Sequence, residues 1–197
     1  MSRLILASSN RGKLDELREL LAPSGYKLVA QSELGVDDAE ETGSTFVENA
    51  LLKARHAARI TGLAALADDS GLLVDALDGA PGLRSARFAG AHGNAAANNA
   101  LLLERLRDVA PDRRSARFYC VLVLLRNADD PQPVIAEGIW RGSILDAPRG
   151  EYGFGYDPLF LPARQTLSAA ELNPEMKNRI SHRGQALTAL RGKLAQS

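Results

Sequence analysis

Cysteine occurs once in the 197 residues, at position 120. A lone thiol cannot close an intrachain disulfide, and Cys120 lies in the apolar run Phe118 to Leu125, so it is expected to serve as a small core residue. An excess of either charge is also missing: 24 Lys and Arg balance 24 Asp and Glu. Without a general basic field to gather nucleic acid, any anionic partner has to be met by a local cluster. No apolar stretch reaches the roughly 18 residues of a membrane span, and Leu4 to Ala7 is too short for the apolar core of a secretory leader. The expectation is a soluble, cytoplasmic protein with neither nucleic acid nor membrane as partner. Serine and histidine form no nucleophile-elbow pattern, so no Ser/His/Asp triad is legible, and Cys/His metal spacing is absent. His56 and His92 are expected at the surface or in packing. There is no repeat, low-complexity tract or obvious linker, and the length suits one domain, or a domain with a lobe.

What is present alternates between strand and helix signals. Arg3 to Ala7 predicts a short buried strand, followed by the loop Ser8-Ser9-Asn10-Arg11-Gly12-Lys13. Leu14, Leu17, Leu20 and Leu21 then recur at helical spacing. Lys27 to Ala30 predicts a second strand. Thr45-Phe46-Val47-Glu48 has capping-box form, and Ala50, Leu51, Ala54 and Ala58 follow on one helical face. Strands are expected at about 63–67 and 72–76, a turn at Gly79-Ala80-Pro81-Gly82, and a helix over 94–106. Two long strands, 115–125 and 134–144, are separated by the polar segment Asn127 to Pro133. Asn173-Pro174 opens a short helix with Pro at its first position, and Ser181 caps a final helix ending near Arg191-Gly192. The mixture is α/β.

The most informative pair is Asp68-Asp69, lodged between Leu63-Ala64-Ala65-Leu66-Ala67 and Leu72-Leu73-Val74. Adjacent carboxylates repel, and they are costly to desolvate unless a cation lies beside them. The two readings are an acidic surface turn and a metal or acid–base site. Three other segments suit the second. The loop 8–13 brings backbone N–H groups, Ser8, Asn10 and Lys13 to a helix start, which suits a phosphate, although Walker glycine spacing is missing. Asn49 and Lys53 share a helix face downstream of Glu40 and Glu41. If a glutamate approaches Asp69, the oxygens suit Mg²⁺, and a carboxylate there can take a proton from water. In the C-terminal part, Phe154-Gly155-Tyr156-Asp157 offers rings for stacking and a carboxylate for a base N–H. Lys177 and Ser181-His182-Arg183-Gly184 follow. Cations in a first helical turn oppose the macrodipole, which hints at an acceptor nearby.

Taken in order, these motifs resemble one family. They are Ser-x-Asn-x-x-Lys at 8–13, Glu-Thr-Gly-x-Thr-Phe-x-Glu-Asn-Ala at 41–50, Ala-Asp-Asp-Ser-Gly-Leu at 67–72, Gly-Ala-Pro-Gly at 79–82, Gly-Phe-Gly-Tyr-Asp-Pro at 153–158 and Ser-His-Arg-Gly-x-Ala at 181–186. The chain is similar over essentially its whole length to the inosine/xanthosine triphosphate pyrophosphatases. The resemblance implies a long central mixed β-sheet with helices on both sides, two lobes around a cleft within one domain over 1–197, and a homodimer. It also implies Mg²⁺-assisted hydrolysis of nonstandard purine nucleoside triphosphates (ITP, dITP, XTP) to the monophosphate and pyrophosphate.

By the same resemblance, Ser8, Ser9, Asn10, Arg11, Gly12 and Lys13 would cradle the triphosphate, with Lys53 as a further contact. Asp69 would be the catalytic base and a metal ligand, assisted by Glu41 or Glu40, and Ser70 would touch the substrate. Phe154, Gly155, Tyr156, Asp157, Lys177, His182 and Arg183 would form the base pocket. A donor to a 6-keto oxygen is left unpaired when a 6-amino base is offered, which is the expected origin of selectivity. One departure stands out: Ser9 occupies a position where the family often has Gly, and Ser adopts positive φ less readily. Two rivals remain, a non-catalytic nucleotide- or nucleic-acid-binding module and the septum-inhibitor-like pyrophosphatases. The neutral charge and the paired aspartates weigh against the first, and the Ser-His-Arg-Gly segment against the second.

Overall fold

The computed structural model describes residues 3–21 and 26–195. Its strands are β1 (Arg3–Leu6), β2 (Lys27–Ala30), β3 (Ala64–Val74), β4 (Ser115–Leu125), β5 (Val134–Ile144) and β6 (Phe160–Pro162). Its α-helices are α1 (Arg11–Leu21), α2 (Phe46–Thr61), α3 (Ala95–Arg105), α4 (Pro174–Ile180) and α5 (His182–Leu194). The strands form one six-stranded sheet in the order β2-β1-β3-β4-β5-β6. Both neighbours of β1 run parallel to it, whereas β5 and β6 are antiparallel. The fold is therefore α/β with a mixed sheet.

By its internal contacts the chain divides into two compact units. The first comprises the residues up to Asp69, Cys120–Gly138 and those from Arg183 onward; the second comprises Ser70–Tyr119 and Ile139–His182. Each has its own apolar core. In the first, Leu14, Leu17 and Leu21 of α1 meet Leu4, Leu6, Leu66, Leu122, Leu187 and Leu190. Those three leucines recur at the 3.6-residue period that makes one helical face apolar. In the second, Phe118, Trp140, Phe160, Leu102 and Leu159 form the centre.

Local signals explain most boundaries. Thr45 accepts from the Glu48 N–H while Glu48 reaches back to the Thr45 N–H, so α2 starts with both halves of a capping box. Asn173 caps α4 by accepting from the Met176 N–H, with Pro174 next.

Two expectations are corrected. The aspartate pair does not divide two strands: Asp68 and Asp69 lie inside the continuous 11-residue β3. They are only 1% and 7% exposed, which also excludes the acidic surface turn. The chain stays extended there because cations from elsewhere in the first unit satisfy both carboxylates, as described below. The last helix also runs past Arg191-Gly192 to Leu194. Gly192 weakens a helix interior by only about 1 kcal/mol, and Lys193 Nζ fastens the last turn to the Ile135 carbonyl at 2.6 Å.

Candidate active site

Side chains alternate between the two faces of a strand, so adjacent residues of β3 meet different partners. Asp68 receives Lys13 Nζ on Oδ1 at 2.7 Å and Arg183 Nε on Oδ2 at 2.9 Å. The Cys120 thiol donates to the same Oδ2 at 3.1 Å. Asp69 receives Lys53 Nζ on Oδ1 at 2.8 Å, and that ammonium also donates to Glu41 Oε1 at 2.9 Å. Arg183 further pairs with Glu16. The first unit thus holds two runs of alternating charge, Glu16–Arg183–Asp68–Lys13 from α1, α5 and β3, and Asp69–Lys53–Glu41 from β3, α2 and the loop before it.

The two neighbouring aspartates are driven apart electrostatically. Burial raises the Asp68 carboxyl, but the charges of Arg183 and Lys13 outweigh it and hold the group well below its ordinary range. For Asp69 burial prevails over the attraction of Lys53 and Lys13, so its carboxyl is raised. Lys53 is raised as well: desolvation pulls it down, but Asp69 and Glu41 more than compensate. Asp68 is therefore a fixed anion, whereas Asp69 is the better proton acceptor. Neighbouring carboxylates separated in this way are how acid–base roles are divided in enzyme sites.

Glu41 is brought to Lys53 by a tight corner. Asn49, on α2 and 3% exposed, accepts from the Gly43 N–H at 2.8 Å. A Cβ on Gly43 would lie 2.7 Å from Asn49 Oδ1 and 2.6 Å from Glu48 Cβ, so only glycine allows the approach. Asn49 is thus a buried anchor on the face it shares with Lys53. Glu40 is exposed. Ser8 Oγ accepts from the Asn10 N–H at 3.2 Å, and Asn10 Oδ1 accepts from the Lys13 N–H at 3.1 Å, giving the loop its shape. Ser9 does not use positive φ; among the described non-glycine residues only Asp78 and Arg164 do. Arg11 and Gly12 begin α1, and Ser70 follows Asp69 in β3, half-buried.

The second unit contains the remaining candidates. Asp157 is 3% exposed; its Oδ2 accepts from Lys177 Nζ at 2.6 Å and from the Phe154 N–H at 2.8 Å. Lys177 Nζ lies 5.1 Å from the centre of the half-buried Phe154 ring, a cation–π distance. Gly153 has φ +77°, and a Cβ there would meet Asp157 Oδ2 at 2.2 Å. Tyr156 belongs to the core, 4% exposed, with its hydroxyl donating to the Ser85 carbonyl at 2.9 Å. The His182 ring stacks on Phe118 at 4.8 Å and 11°. Asn99 Nδ2 holds the Gly155 carbonyl at 3.0 Å.

Sequence reasoning missed Glu16, Asn99 and the thiol contact of Cys120. Only Glu16 left a signal, three residues beyond Lys13 and hence on the same helical face.

Fold and site together define a mixed-sheet α/β protein with a buried aspartate pair whose cations come from separate helices. The model of the Ham1 family matches residues 4–193, and the chain belongs to that family. It is 63% identical over 194 residues to the dITP/XTP pyrophosphatase of Xanthomonas oryzae pv. oryzae, covering 98% of each chain. Its identity to the dITP/XTP pyrophosphatase of Vibrio cholerae serotype O1 is 54%, covering 96% of this chain and 95% of that one. Among solved structures, a HAM1 protein from Coxiella burnetii superposes with a TM-score of 0.90 at 51% identity, with complete coverage of both.

Proposed function

We propose that this protein hydrolyses nonstandard purine nucleoside triphosphates, dITP and XTP among them, to the monophosphate and pyrophosphate, with Asp69 as the base. The observation that carries this reading is the divergence of the two aspartates. Asp68 is locked as an anion between Lys13 and Arg183, while the Asp69 carboxyl is raised and bonded to Lys53. Relatives at 54–63% identity named dITP/XTP pyrophosphatase support the substrate class.

In this reading Asp69 accepts the proton of the attacking water, an effect worth on the order of 10²–10⁴-fold. An ammonium has three N–H donors. Lys53 donates to two carboxylates, so its third N–H suits a phosphate oxygen. Lys13 contributes in the same way from α1, beside the loop N–H groups of 8–12. In the second unit, Phe154 and the Asp157–Lys177 pair are the candidates for the purine, with His182.

Magnesium belongs to the proposal. Lys53 holds Glu41 and Asp69 side by side through one oxygen of each, and among the described residues no group of three or more His, Cys, Asp or Glu forms a cage. That set suits an ion that takes one or two carboxylates and completes its shell with substrate phosphates and water. When bound, the ion would offset charge on the phosphates and on the leaving pyrophosphate. Glu41 fits this role better than the exposed Glu40. The family resemblance supports a homodimer. Among the described residues no helix is long and apolar enough to cross a membrane, and a cytoplasmic location suits an enzyme acting on the nucleotide pool.

The test is a panel of ITP, dITP, XTP, GTP and ATP with and without Mg²⁺. Pyrophosphate should appear in one step, with Mg²⁺, and chiefly from the first three. Stepwise release of orthophosphate would overturn the assignment.

A further inference from the structure

The loop between β1 and α1 is shaped by contacts within its own length: Ser8 Oγ with the Asn10 N–H, Asn10 Oδ1 with the Lys13 N–H, and the Leu14 N–H with the Asn10 carbonyl. None of these fixes the loop to the rest of the unit; at its start the Ala7 N–H donates to the Leu66 carbonyl of β3 at 2.8 Å, which leaves its tip unheld. Ser9 holds the tip: its hydroxyl donates to Asp38 Oδ2 at 2.6 Å, across 29 residues of sequence. The other Asp38 oxygen, Oδ1, accepts from Gln31 Nε2 at 2.5 Å.

The turn that carries Asp38 is anchored at three points. Gln31 is 3% exposed, and its carbonyl accepts from the Val36 N–H at 3.1 Å, closing the turn that leads to Asp38. Val36 is itself buried at 4%. The Asp37 carbonyl, one residue before Asp38, lies 3.0 Å from His56 Nε2 of α2. Asp38 is thus a charged acceptor on a fixed base, reaching up to the loop.

We infer that Asp38 is a positioning residue for nucleotide binding: through Ser9 it presets the phosphate-facing loop in its binding conformation. This deepens the pyrophosphatase reading and rests on it. A glycine at position 9 leaves the backbone free over a wide range of φ. A serine narrows that range, and its hydroxyl supplies a tether that glycine lacks. A loop held before the ligand arrives gives up less conformational entropy on binding. The charge on Asp38 is a liability beside a polyphosphate, and donors on both of its oxygens are the arrangement that offsets it. The Ser9 O–H is then committed to Asp38, and Ser9 contributes to a phosphate only through its backbone.

The test is a double-mutant cycle on the full chain with Ser9→Ala, Asp38→Ala and both together, following pyrophosphate release from dITP. A tether of this strength predicts a KM raised about 2- to 10-fold in Asp38→Ala, with kcat within about twofold. KM should rise similarly in Ser9→Ala and no further in the double variant, since each change removes the same interaction. Backbone amides of residues 8–12 should exchange hydrogen faster in Asp38→Ala. A lower or unchanged KM in Asp38→Ala, or additive effects in the double variant, would overturn the inference. Absence of pyrophosphate release from the unaltered protein would instead remove the functional reading itself.

Discussion

Arg183 Nε donates to Asp68 Oδ2 at 2.9 Å, joining residues 115 positions apart. Arg183 is 1% exposed and also pairs with Glu16, so two carboxylates depend on one guanidinium. Removing it takes a buried cation from Glu16 and leaves Asp68 with Lys13 and the Cys120 thiol alone. Arg183→Ala should lower the unfolding free energy by about 3–5 kcal/mol, measured by urea denaturation. Arg183→Lys should recover little of this, because a single ammonium nitrogen replaces the separate Nε and Nη1 that meet Asp68 and Glu16 in the planar guanidinium. A loss below about 1 kcal/mol for the alanine variant would show that the network is not a structural support.

Asp69→Asn should abolish most turnover, by on the order of 10²–10⁴-fold, while a non-hydrolysable α,β-methylene analogue of dITP still binds within a few-fold of the native affinity. The amide keeps the shape of the carboxylate and can still accept from Lys53, but it cannot take a proton. Single-turnover kinetics beside calorimetric binding separate the two effects. Normal hydrolysis by this variant would remove Asp69 from the chemistry.

Lys53 lowers the Asp69 carboxyl, countering the rise due to burial. Lys53→Met removes that attraction, so Asp69 should become harder to ionise. The acid limb of kcat/KM should shift to higher pH, and the rate near neutrality should fall. A limb that stays in place would mean that another group sets the profile.

Stability should depend on acid in a defined direction. The folded Asp68 carboxyl is held well below its ordinary value of 3.8, so its contribution is complete above that value and is lost as pH falls below it. Asp69, whose folded carboxyl is raised, acts in the opposite sense, its contribution fading as pH rises through its folded value. Unfolding free energies measured from pH 6 down to pH 2 should therefore fall less steeply in Asp68→Asn than in the unaltered protein.

Gly153→Ala would place a methyl group against Asp157 Oδ2, at a residue with φ +77°. The Asp157–Lys177 pair cannot keep its 2.6 Å contact in that case. Discrimination between dITP and dATP should fall, with stability lowered by about 1–3 kcal/mol for strain at a positive-φ site. Both are read from KM ratios and thermal melts. Unchanged discrimination would move the purine site elsewhere.

Local chemistry determined much of this protein from sequence alone. The leucine spacing of α1, the Thr45–Glu48 box and the Asn173-Pro174 start are short-range signals, and β4 and β5 occupy 115–125 and 134–144 as their β-rich runs require. The order of motifs was likewise enough for the family. The tertiary structure alone decided that Asp68-Asp69 continues a strand, which lysine each aspartate meets, and that Arg183 turns to Asp68 and Glu16. It also decided that Ser9 is tied to Asp38. A carboxylate's neighbours in sequence set the cost of burying it, but the cations that offset that cost come from distant segments, and only folding brings them within bonding distance.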